Sequence, residues 1–143
     1  MALSSTAEIE RHTLAFLDRT LPKAEWTHEG HFAAALWLAR HRPDLATPEA
    51  MRPLIMTYNE AVGGENTDTG GYHHTITCAS IRAAQACLAK VDTEAPLEEV
   101  LAGLMASAFG KSDWLLAHWN RDTLFSLEAR RGWVEPDLEP LPF

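Results

Sequence analysis

Apolar positions along the chain recur at three- and four-residue spacing, and nowhere do they alternate as a half-buried strand would. Ser5 followed by Glu8 forms a capping-box signal and predicts a first helix reaching about residue 19. Its apolar side carries Ile9, Thr13, Phe16, Leu17 and Thr20. Thr27 can cap a second helix from His28 to about His41, which Arg42-Pro43 stops. Thr47-Pro48-Glu49 opens a third, combining a capping hydroxyl, a proline at the first helical position and a carboxylate at the positive end. Pro53 then predicts a kink or a later start, and Gly63-Gly64 the end. A fourth helix is expected over residues 72–90 and a fifth over 96–109, with short pieces near 113–119 and 127–132. The pattern predicts an all-α antiparallel bundle of four to five main helices with a small helical cap.

The ending WVEPDLEPLPF holds three prolines among apolar residues and reads as an extended strap laid over the helices. An arm exchanged between subunits of a homodimer is the competing reading. With 143 residues, 46% of them hydrophobic, and no repeat or linker, the whole chain 1–143 is expected to form a single domain. A net charge of −8 with scattered Lys and Arg argues against a nucleic-acid partner. No apolar run approaches the roughly 20 residues of a membrane span, and the start MALSSTAEIE resembles no secretion signal. On one helix Cys78 and Cys87 would stand about 13 Å apart along the axis on opposite sides, too far to bridge. Reduced thiols and a cytoplasmic location are therefore expected.

Chemistry concentrates in two segments. In Trp26-Thr27-His28-Glu29-Gly30-His31, His28 and His31 lie one turn apart on the side that continues through Phe32, Ala35, Leu38 and Ala39. The second segment, from Gly63 to Thr77, is a polar glycine-rich loop running into a helix. There His73, Thr77 and Ser80 form a polar trio on the core-facing side, with Thr75, Arg82 and Gln85 facing away. Such a trio must find partners or water and marks the place to expect a cavity. His28, His31, His73 and His74 would all occupy first helical turns, where the positive end of the dipole favours neutral imidazole. Tyr58 faces inward as a phenol, while Asp68 and Glu65 sit on the loop, able to reach a ligand or serve merely as turn residues. His12 and His118 lie outside both clusters.

The stretch from Trp26 to His31, Tyr58-Asn59, the run NTDTGGYHHTIT and the ending ARRGWVEPDL together resemble a family of small, uncharacterised bacterial proteins. In that family glutamate commonly stands at the position of His74. The resemblance draws attention to His28, His31 and His73 and implies no named activity.

The leading expectation is a small metalloprotein, an enzyme of the hydrolase or lyase kind acting on a small molecule. His28, His31 and His73 would hold a divalent transition metal such as zinc, iron or nickel, with His74, Tyr58 and Asp68 as acid–base or supporting groups. Two alternatives stay open: a metal-free lyase or isomerase using a histidine base, and a non-enzymatic ligand-binding or dimeric interaction module. The competing view of each histidine is that of a hydrogen-bonded structural residue.

Overall fold

Hydroxyl side chains set the starts of three long helices. Ser5 accepts from the Glu8 N–H and opens α1 (Thr6–Leu17), Thr27 accepts from Gly30 and opens α2 (His28–His41), and Thr47 accepts from Ala50 and opens α3 (Pro48–Ala61). The computed structural model describes residues 3–143. It continues through α4 (His74–Ala89), α5 (Leu97–Ala106), α6 (Arg121–Leu124) and α7 (Leu127–Arg131). Short 3-10 turns occur at Lys23–Glu25, Ala108–Gly110 and Trp114–Ala117. Among the described residues there is no strand, and the fold is an all-α helical bundle. No helix among them is long and apolar enough to cross a membrane.

The bundle is arranged around α2. Phe32, Ala33, Ala34, Leu36 and Leu38 are all buried, so this helix is apolar nearly all the way round. A helix of that kind has to be enclosed, and α1, α4 and α5 pack against it. The α3 helix leans on α4 and α1, while α7 lies on α4. Gly30 lets α1 approach the start of α2: a Cβ there would lie 2.8 Å from both the Glu25 carbonyl oxygen and the His12 ring. Across that contact the His12 Nε2–H donates to the Gly30 carbonyl at 3.1 Å. His12, outside the two sequence clusters, is thus a buried structural residue.

Several boundaries differ from the sequence expectation, each for a local reason. The α4 helix begins at His74 rather than 72, because His73 itself caps it by accepting the Ile76 N–H on Nδ1. The α5 helix stops at Ala106 because Ser107 is extended and its hydroxyl caps the following turn by accepting from Phe109. The chain then doubles back so tightly that a Cβ on Gly110 would meet the Met105 carbonyl oxygen at 1.8 Å. Helix α3 runs through Pro53 from Pro48 to Ala61. Thr75 was expected to face away from the core but is fully buried. Its hydroxyl donates to the Gly132 carbonyl at 2.8 Å and accepts from the Val134 N–H. Near its start the side of α4 that periodicity leaves outward is covered by α7 and the chain that follows it, while Arg82 and Gln85 farther along stay exposed. Cys78 and Cys87 are both free thiols.

Residues 133–143 carry no helix and hydrogen-bond across the short helices. The Trp119 indole donates to Val134, Leu138 donates to His118, and the Asp137 carboxylate receives the Asn120 N–H and the Thr123 hydroxyl.

Two glycine substitutions separate packing from backbone effects. Gly30→Ala forces a methyl against backbone and ring and is expected to destabilise by roughly 1–3 kcal/mol. Gly103→Ala, inside α5 with open space around it, is expected to stabilise by roughly 0.4–1 kcal/mol. Urea denaturation of both variants against the parent checks the pair, and equal effects would contradict the close α1–α2 approach.

Candidate functional site

A cavity of about 610 Å³ opens between α2, α3, α4 and the loop joining the last two. Helix α2 contributes His31 and Ala35 to its wall, α3 contributes Met51, Ile55, Tyr58 and Asn59, and α4 contributes Ile76, Thr77, Ser80 and Ile81. The polar trio of His73, Thr77 and Ser80 lies along this wall. The first turns of α2 and α4 therefore meet at one hollow.

One side-chain amide makes several of the bonds that hold the loop. Asn66 Oδ1 accepts from the Asn59 side chain at 3.0 Å and from the Tyr72 N–H at 3.1 Å. Its Nδ2 donates to the Met56 carbonyl and to Glu60. Gly71 adopts φ +81°, and a Cβ there would strike the Glu65 carbonyl oxygen at 2.3 Å. Arg130 of α7 donates to the Gly71 and Tyr72 carbonyls, fixing the loop from the other side.

The residues singled out by the sequence take different positions. His31, Tyr58 and His73 line the cavity; His28, Asp68 and His74 do not. His28 turns away, and its Nε2–H donates to the Phe109 carbonyl at 2.8 Å. His73 has both nitrogens engaged: Nδ1 accepts from Ile76, and the Nε2–H donates to the Leu124 carbonyl at 2.6 Å. Tyr58 is fully buried with its hydroxyl donating to the Leu21 carbonyl at 2.9 Å. Asp68 forms an exposed ion pair with Arg131 at 2.9 Å, a type that contributes roughly 0–1 kcal/mol. His74 accepts the Tyr72 hydroxyl on Nδ1 at 2.7 Å and borders a second hollow of about 330 Å³ beside Glu49, Cys78 and Arg82. Burial pushes the Tyr72 phenol up to about 12 and lowers His74, which keeps the shared proton on oxygen.

His31 alone of these has no hydrogen-bond partner among the described residues. His31 is exposed to solvent where it lines the hollow, and the protein around it, Trp26 above all, crowds the rest of its ring. That crowding, with the nearby His28 and His12 rings as lesser causes, lowers its pKa to about 4. The imidazole is neutral at physiological pH, with one donor and one acceptor nitrogen unused.

Trp26 fixes where this ring sits. It stacks on Phe16 at 4.3 Å between centroids with planes 7° apart, and its centroid lies 4.2 Å from that of His31. Trp26 precedes the Thr27 cap and His31 is the fourth residue of the helix, the spacing of a hydrophobic staple. That spacing is the sequence signal from which the pairing could have been found. The Asn66 junction had no such signal, since its partners are set by the loop's path.

As a metal centre the three histidines fit poorly in these positions. His73 has no nitrogen lone pair left, and among the described residues no three His, Cys, Asp or Glu side chains gather as ligands. Comparison with protein-family models, curated proteins and solved structures returns no match to this chain.

The pH dependence of stability follows from the imidazoles. His12, His31, His73 and His74 all titrate below the ordinary value of 6.5, first because burial opposes the charged ring. For His31, between 6.5 and about 4 the unfolded chain binds more protons than the folded one, so stability falls as pH falls through that window. Below about 4 the ring is protonated in both states and its share of the slope ends. Urea midpoints are expected to drop progressively below pH 6.5 and to drop less steeply in His31→Leu. An unchanged slope in that variant would contradict a neutral His31.

Proposed function

We propose that this chain binds a small, largely apolar organic molecule in the cavity between α2, α3 and α4, with His31 as its polar anchor. The observation that carries the reading is a largely apolar hollow of about 610 Å³ bordered by the exposed His31 ring, which has no hydrogen-bond partner among the described residues. Volumes of roughly 300–1,000 Å³ are usual for small-molecule sites, as is an apolar lining with a few polar groups. Here Trp26, Met51, Ile55, Ile76 and Ile81 supply the apolar wall.

Binding is favoured over proton abstraction by the basicity of the ring. A general base works best with a pKa near the working pH, and His31 at about 4 has little drive to take a proton. His73, the other histidine on the wall, has both nitrogens engaged. A divalent zinc, iron or nickel ion held by His28, His31 and His73 would require His73 to give up its cap or its bond to Leu124. Ligand binding in the cavity requires neither.

Filling the hollow tests this. In Ala35→Phe a phenyl group would occupy space that the half-buried Ala35 leaves open. A screen of uncharged aromatic fragments by protein NMR is expected to yield binders that move the resonances of His31 and Ile76. Their affinities are expected to fall at least about tenfold in the filled variant. Absence of binders at millimolar concentration, or binding unaffected by Ala35→Phe, would defeat the proposal. Stoichiometric zinc uptake that perturbs the His73 ring and is lost in His31→Ala would support the metal reading instead.

A further inference from the structure

The second hollow, of about 330 Å³, opens between the start of α3, one face of α4 and Trp133. His74, Cys78, Ile81, Arg82 and Gln85 share that face because they recur at three- and four-residue steps. Two lining residues carry formal charge, Arg82 and Glu49, and neither has an ion-pair partner among the described residues. Both lie close to one buried group in the wall, the Cys78 thiol. Burial raises the pKa of that thiol first, Arg82 then lowers it and Glu49 raises it. Arg82 is placed by Trp133, its guanidinium lying over the indole ring at 4.4 Å from the centroid. Stacking of this kind leaves the in-plane N–H donors free. Trp133 is fixed in turn, its indole N–H donating to Glu135 and its ring standing edge-on to Trp119. His74 adds a neutral donor: its Nδ1 accepts the Tyr72 hydroxyl, so the ring proton sits on Nε2, which has no partner among the described residues.

From this arrangement we infer that the second hollow is a site for a compact zwitterion, a small α-amino acid with an apolar side chain. Its carboxylate meets Arg82 and the His74 Nε2–H, its ammonium meets Glu49, and its side chain lies against Ile81 and Trp133. A simple anion is attracted by Arg82 but repelled by Glu49, and a simple cation meets the reverse. Only a molecule carrying both charges is matched on both sides, which gives selectivity as well as attraction. The volume stands at the small end of the roughly 300–1,000 Å³ usual for ligand sites, which favours a molecule of this size. The inference is independent of the ligand proposed for the larger cavity.

Three probes on one carbon skeleton separate the charges: valine, isovalerate, which lacks the ammonium, and isobutylamine, which lacks the carboxylate. NMR titrations of the full chain at neutral pH are expected to show saturable valine binding in the millimolar range, moving the resonances of His74 and Cys78. Isovalerate and isobutylamine are each expected to bind at least about fivefold more weakly. Arg82→Gln is expected to bring valine down to the affinity of isobutylamine, and Glu49→Gln to bring it down to that of isovalerate. Both variants change side chains at the surface of the hollow and leave the apolar core untouched, so loss of fold does not mask the result. No saturable valine binding in the millimolar range, equal affinities for the three probes, or valine binding unchanged in both variants overturns the inference. So do valine-induced shifts confined to His31 and Ile76 of the larger cavity.

Discussion

Enclosure of α2 is the constraint from which the rest of the structure follows. Beyond its first turn this helix offers apolar side chains in nearly every direction, so α1, α4 and α5 must surround it. Its polar groups can then stand only at the ends. Gly30 leaves room for α1, and the contact is closed by a hydrogen bond from His12. Trp26, stacked on Phe16 and packed on His31, fixes the entry of the chain into the helix. The result is an imidazole at the margin of the core, held by packing on one side and open to the hollow on the other.

Three histidines at matching helix starts have three different physical situations. His28 reaches a carbonyl 81 residues away, His73 closes its own helix and meets a distant carbonyl, and His31 has no partner among the described residues. His28 and His73 are committed to backbone carbonyls, whereas the exposed His31 ring keeps its nitrogens for water or a ligand. Direction alone could not distinguish them. The hydrogen-bond inventory does: among the described residues His31 is the one of the three whose ring has no protein partner.

Much of this arrangement was legible in the chain. The caps at Ser5, Thr27 and Thr47, the inward side of Tyr58, and the polar trio on α4 follow from spacing within about four residues. What spacing could not supply was the identity of the covering element. Thr75 falls on the side of α4 away from the core stripe, yet the chain at Gly132 and Val134 lies over it. His28 points as helical geometry directs, but its partner at Phe109 exists only because the chain turns sharply at Gly110. His12 was left outside both clusters because its partner is a backbone carbonyl on a neighbouring helix, which spacing does not reveal. Local pattern decides which face a residue takes; long-range chain path decides what meets it there.

The hollow is partly open to solvent, so water fills it when no other molecule does. Its walls do not collapse inward because Asn66 ties the loop to α3, Arg130 ties it to α7, and Gly71 adopts a backbone conformation that few other residues tolerate. Water at the wall can satisfy His31, Ser80, Asn59 and Thr77 but gains little beside Ile55, Ile76 and Ile81. A molecule that replaced those hydrogen bonds and covered the apolar wall would gain from both.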